Sequence, residues 1–147
     1  MNYHNKYFLV TGAYRGIGRS IAIYFGEKGT NLVLTYHHHE KETQELEELI
    51  KEKYGVQVYS VYLDLQNEES IQSLYKFLSD KHIEIDCLIN NASVSCDNDY
   101  LSKTKKEFMN VLETNIVGTF LMMQYFDRFF QNKTIVNISS TDGIDTS

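Results

Sequence analysis

From residue 11 to residue 18 the chain reads Thr-Gly-Ala-Tyr-Arg-Gly-Ile-Gly, and no other stretch constrains the fold as strongly. Before it, Tyr7, Phe8, Leu9 and Val10 form a short apolar run with the length of a buried strand. After it, residues 17–28 place Ile17, Ile21 and Phe25 on one helical face, and Gly29 supplies a helix stop. Gly12, Gly16 and Gly18 therefore sit in a turn that leads from a strand into a helix. A tight turn of this kind uses positive φ, and a phosphate can approach backbone closely only where no Cβ intervenes. The helix that follows points unpaired N–H groups and its positive dipole end at the same place. The alternative is a glycine-rich turn with no ligand; the order strand, turn, helix favours the anion site.

The rest of the chain alternates in the same way. Residues 31–36 form a second apolar strand, and residues 40–54 a charged helix with Leu46, Leu49, Ile50 and Tyr54 as its stripe. Residues 56–63 read as a third strand, rich in β-branched and aromatic side chains. Asn67 caps a helix carrying Ile71, Leu74, Tyr75 and Leu78. Residues 86–90 are the fourth strand, and a polar loop occupies 91–103. Thr104 and Glu107 have capping-box spacing and open one long helix to about residue 130, before a fifth strand at 134–138. Strands separated by helix-length segments predict an α/β fold with a doubly wound parallel sheet.

Composition narrows the function. A chain of 147 residues with 42% hydrophobic content suits one domain, residues 1–147, with a real core. The net charge of -6 argues against nucleic acid or an anionic membrane as partner. No apolar run approaches the roughly 18 residues of a membrane span, and the polar N-terminus shows no signal peptide, which implies a cytoplasmic protein. Cys87 and Cys96 read as reduced thiols. His37, His38 and His39 are consecutive and point in different directions, so no metal site is expected.

The spacing of Gly12, Gly16 and Gly18, TGxxxGIG, resembles the short-chain dehydrogenase/reductase family. Four later matches extend the resemblance along the chain. Asp64 follows the third strand, where the family has an aspartate that contacts the adenine. Asn90-Asn91-Ala92 follows the fourth, with Ser93 where the family has glycine; a serine would be strained there if the turn needs positive φ. Residues 111–120 look like the family's asparagine-containing helix. Phe108, Leu112 and Asn115 share a face, so Asn115 is expected to point inward. Residues 135–140 end in the pair Ser139-Ser140.

The resemblance implies a Rossmann-like sheet, truncated here after its fifth strand. It implies a nicotinamide dinucleotide held by Gly12, Tyr14, Arg15, Gly16, Ile17, Gly18, Tyr36, His37, Asp64, Leu65, Asn90, Asn91 and Ala92. Ser140 would hold the substrate carbonyl and Asn115 a relay water. The family's Tyr-x-x-x-Lys pair is expected beyond Ser147, so the chain alone is expected to be inactive. The members it looks most like are 3-oxoacyl-acyl-carrier-protein reductases, implying a small-molecule or carrier-bound ketone and a homo-oligomer. The second strand ends Thr35-Tyr36-His37, with no acid before Glu40, and Arg15 lies in the glycine turn. That combination favours NADP over NAD. A non-catalytic dinucleotide-binding module and an inactive fragment are the alternatives.

Overall fold

The computed structural model describes residues 3–96, 99 and 101–140. In chain order these form β1 (Tyr7–Val10), α1 (Gly16–Glu27), β2 (Asn31–Tyr36), α2 (Glu40–Tyr54), β3 (Val58–Tyr62), α3 (Glu68–Asp80) and β4 (Cys87–Asn90). They continue with α4 (Lys105–Leu112), a π-helical turn (Glu113–Gly118), α5 (Thr119–Phe129) and β5 (Thr134–Asn137). The strands lie in the order β3-β2-β1-β4-β5, and every pairing is parallel. The expected doubly wound parallel sheet is thus the observed one.

Alternation along the strands decides which helix covers which face. Phe8 and Val10 of β1, with Leu32 and Leu34 of β2, pack against Ala22 of α1 and Leu46 and Ile50 of α2. Leu9, Val33 and Leu88 point to the other side and meet Ile71, Leu74 and Leu78 of α3 and Met122 and Phe126 of α5. Both faces of β1, β2 and β4 are therefore buried, which is why these strands read as continuous apolar runs. Leu9 is wholly buried, and truncating such a side chain to alanine costs about 2–5 kcal/mol.

Helix ends follow the local chemistry. Asn67 caps α3 by accepting from Glu69 N–H, and Thr104 with Glu107 forms the expected capping box on α4. Gly55 ends α2 in the left-handed conformation, at φ 68°. Burial pushes the Cys87 thiol up to about 11, so it stays protonated, and both cysteines are free.

Three expectations need correction. On α1 the buried stripe is Gly18, Ala22 and Gly26, whereas Ile17 is 60% exposed. Small residues let the helix sit close: a Cβ on Gly26 would lie 2.7 Å from Ile50. β3 is shorter than 56–63, because Gln57 N–H turns aside to the Asn31 side chain at 2.9 Å. The single long helix after Thr104 is interrupted by the π-helical turn. Gly118 ends that turn, and a Cβ there would stand 2.6 Å from the Leu65 carbonyl oxygen, so only glycine fits the crossing over Leu65.

Candidate functional site

The carboxyl ends of β1, β2, β3 and β4 converge on one edge of the sheet, and most of the expected residues stand there. The glycine turn is the centre. Gly12 and Gly16 have φ of 65° and 55°, which a residue with a Cβ adopts only under strain. The three glycines have different reasons to be glycine. A Cβ on Gly12 would meet Ala92 Cα at 2.9 Å. One on Gly18 would meet the Asn91 side-chain amide and the Gly12 carbonyl oxygen. One on Gly16 would meet nothing within 4 Å. Packing therefore explains Gly12 and Gly18, while Gly16 leaves open backbone.

That open backbone lies at the start of α1. The cap residue, Arg15, is extended at φ -144° and makes no side-chain capping bond, and the first turn carries no acid. The first N–H groups of the helix thus have neither a capping oxygen nor a carboxylate, and they face outward with a positive dipole end. A phosphate would supply what the turn lacks, so these residues fit the pyrophosphate of a dinucleotide.

β4 holds the turn in place. Thr11, buried at the end of β1, accepts the N–H groups of Asn91 at 3.0 Å and Ala92 at 2.9 Å on Oγ1. Asn91 Nδ2 donates to the carbonyl oxygens of Thr11 at 2.9 Å and Gly12 at 3.1 Å. Asn90 points the other way along the sheet, to Asn137 Oδ1 at 2.8 Å. Ser93 does not have positive φ, so the serine in place of glycine is unstrained.

The far side of the edge is aromatic and ionisable. Tyr14 stacks on His39 with centroids 4.0 Å apart, tying the glycine turn to the segment after β2, and the Arg15 guanidinium lies 5.3 Å from the Tyr14 ring centre. Tyr36 donates its hydroxyl to Glu40 at 2.9 Å; burial, then that carboxylate, raises its pKa. His37 Nε2 lies 3.7 Å from Asp64 Oδ2, and Asp64 Oδ1 accepts Gln66 N–H at 2.9 Å. Leu65 is buried beneath Gly118. Ile17 projects outward rather than into the turn. Among the described residues no group of three His, Cys, Asp or Glu could hold a metal ion.

Asn115 corrects the expected geometry. Its helical neighbour Phe108 is exposed, so the shared face is not a buried one. The π-helical turn presents Asn115 to the loop after β4, where Nδ2 donates to Val94 O at 2.8 Å and Oδ1 accepts Val94 N–H at 2.9 Å. Ser140 is exposed just beyond β5. A Tyr-x-x-x-Lys spacing does occur, at Tyr24 and Lys28, but it sits at the far end of α1, with Lys28 Nζ 5.3 Å from the Tyr24 ring centre. Thr11 and Gly118 are the residues that sequence reasoning missed as site residues. A hydroxyl directly before the first glycine is the signal that marks Thr11.

Comparison with known proteins gives a consistent result. A family model described as short chain dehydrogenase matches residues 6–147. The chain is 37% identical over 141 residues to the 3-oxoacyl-[acyl-carrier-protein] reductase FabG of Aquifex aeolicus, covering 94% of this chain and 56% of that protein. It is 33% identical over 120 residues to the reductase of the same name from Staphylococcus epidermidis, covering 82% and 49%. Among solved structures, a short-chain type dehydrogenase/reductase from Mycobacterium marinum superposes with TM-score 0.91 at 23% identity, over 99% of this chain and 58% of that one. An alcohol dehydrogenase from Thermococcus sibiricus, complexed with 5-hydroxy-NADP, superposes with TM-score 0.79 at 24% identity, over 86% and 53%. The chain spans about half the length of the curated relatives it matches.

Proposed function

Because the chain belongs to the short-chain dehydrogenase family, matched over residues 6–147, we propose that it is the dinucleotide-binding part of an NADPH-dependent reductase acting on a ketone. The observation that carries the proposal is Gly16: positive φ, open space above its backbone, and a helix start with no cap of its own. Gly12, Gly16 and the first turn of α1 would hold the pyrophosphate, with Arg15 beside it. Asp64 and Leu65 would meet the adenine, and Asn90, Asn91 and Ala92 would border the nicotinamide end. A bound NADPH supplies hydride, and the protein orients it against the carbonyl. Ser140 would donate to the carbonyl oxygen.

The names of the FabG relatives suggest a 3-oxoacyl thioester on a carrier protein as substrate. A cytoplasmic setting and a homo-oligomer belong to the same proposal and rest on the family resemblance. No Tyr-x-x-x-Lys pair follows Ser140 within these 147 residues, so the proposal gives them cofactor binding and not proton donation. Asn115 supports a second reading, a non-catalytic binding module, because its amide is committed to Val94. Calorimetric titration of the chain with NADPH and with NADH tests the first reading. Tighter binding of NADPH is expected; equal affinities would remove the case for NADP.

A further inference from the structure

Gln66 follows Asp64 and Leu65, the residues proposed to meet the adenine, and its contacts carry an inference that rests on that proposal and goes beyond it. The turn after β3 is fixed locally. Ser70 Oγ accepts the Asp64 N–H at 2.9 Å, and Asp64 Oδ1 accepts the Gln66 N–H at 2.9 Å. From this turn the Gln66 side chain reaches the π-helical turn. Its Nε2 donates to Asn110 Oδ1 at 2.7 Å and to Thr114 Oγ1 at 2.7 Å. Asn110 stands in α4 just before the π-helical turn, and Thr114 is buried within it. A primary amide carries two N–H donors, one for each of these acceptors. At the other end of the π-helical turn Gly118 closes on the Leu65 carbonyl oxygen, which a Cβ there would approach to 2.6 Å. Leu65 and Gln66 therefore grip the π-helical turn at its two ends. Asn115 lies between the grips and holds both the N–H and the carbonyl oxygen of Val94.

We propose that Gln66 is a positioning residue for Asn115: it ties the start of the π-helical turn to the adenine end of the site, so that a ligand ordering residues 64–66 also orders Asn115 and the loop at Val94. The two halves of a dinucleotide are then linked through the protein as well as through the pyrophosphate. Coupling of this kind needs an element whose state both sites bias. That element is the clasp of Asn115 on Val94, either closed on both backbone groups or open to solvent. Without the Gln66 donors, Leu65 still packs under Gly118, but Asn110 and Thr114 lose their tie to the turn after β3. Asn115, one residue beyond Thr114, is then set by the helix alone.

The test is amide hydrogen exchange at Val94, read by NMR on the 147-residue chain, because that N–H donates to Asn115 Oδ1. Adenosine 2′,5′-bisphosphate is the probe: it fills the adenine end and has no nicotinamide to touch the loop. At saturation it should slow exchange at residues 64–65 and, in the unaltered chain, at Val94 by about fivefold. In Gln66→Leu the probe should still slow exchange at 64–65, while its effect at Val94 vanishes. Gln66 is exposed, so this variant is expected to fold, which far-UV circular dichroism checks. Thr114→Val removes an acceptor at the far end without touching the turn after β3, and should also shrink the effect at Val94; it carries the comparison if Gln66→Leu does not fold. A merely structural Gln66 would speed exchange at Val94 with and without probe alike and keep their ratio. An unchanged ratio in the folded variants, or slowing at 64–65 of the unaltered chain with none at Val94, overturns the inference and leaves the dinucleotide reading standing. No effect of the probe or of NADPH at either place overturns both.

Discussion

Thr11 and Asn91 clasp each other across the junction of β1 and β4. The Thr11 hydroxyl accepts the Asn91 N–H at 3.0 Å, and the Asn91 side-chain amide returns a bond to the Thr11 carbonyl at 2.9 Å. Thr11→Val would leave the N–H groups of Asn91 and Ala92 without an acceptor, and Asn91→Ala would strip a donor from two carbonyls. Each is expected to cost about 1–3 kcal/mol of stability in urea unfolding. The double variant should cost less than the sum by at least about 0.5 kcal/mol, since both remove one unit. Strictly additive losses would mean that the two residues act separately.

The glycines separate stability from binding. Gly12→Ala combines positive φ with a contact to Ala92 and should destabilise by more than about 2 kcal/mol. Gly16→Ala has the same backbone penalty, about 1 kcal/mol, but no clash. Its main effect should be on NADPH affinity, a loss of about tenfold or more, because the new methyl occupies the approach to the backbone. Unchanged affinity in a folded Gly16→Ala chain would show that no ligand comes to that turn.

Asp86 predicts the acid limb of stability. It stands before β4 and accepts from Lys6 at 3.1 Å, Lys133 at 3.0 Å and Tyr7 N–H at 3.1 Å, joining the starts of β1, β4 and β5. Burial works to raise its pKa, but the bonds from Lys133, Lys6 and Tyr7 outweigh it and hold the carboxyl below the usual carboxylate range. A depressed folded value means stability that is present above the ordinary aspartate pKa, about 3.9, and is lost as pH falls through the folded value. Asp86→Asn should lower stability at pH 7 by about 1–2 kcal/mol and flatten the profile below pH 4. An unchanged acid limb in denaturant melts would assign it to other carboxylates.

Self-association is expected at micromolar concentration. β5 pairs only with β4 among the described residues, and its outer edge carries exposed Val136. On α5, Phe120 is 54% exposed and Phe129 50%, and Ile116 and Val117 in the π-helical turn before it are also exposed. The net charge of -6 opposes contact weakly, since screening at physiological salt acts over about 8 Å. Light scattering on a sizing column should report species larger than 17.1 kDa, and Phe120→Lys with Phe129→Lys should shift them toward monomer. A sharp monomer peak for the unaltered chain contradicts this.

Parts of the molecule were legible in the sequence because few residue types satisfy the local geometry. Positive φ at Gly12 and Gly16 is such a case, and so are the Asn67 cap and the Thr104–Glu107 box. Ile17 misled, because its period suits a buried face while it is 60% exposed; Ile21 and Phe25 do pack against the core, beside the buried Gly18, Ala22 and Gly26. Periodicity rewards large apolar residues and is blind to close approach by small ones. The π-helical turn left no mark either, since one extra residue per turn shifts faces without changing composition. Asn115 was consequently aimed at the interior when it binds the loop at Val94. Thr11 was invisible as a clasp because its partner, Asn91, is 80 positions away.

Hydrogen exchange on the 147-residue chain, with and without saturating NADPH, tests the central claim most directly. Protection should rise at residues 12–18, 36–38, 64–65 and 90–92, which four separate turns bring to one sheet edge, and should stay unchanged on the outer surface of α2. Protection confined elsewhere, or no change at saturation, would contradict a dinucleotide site at the carboxyl ends of these strands.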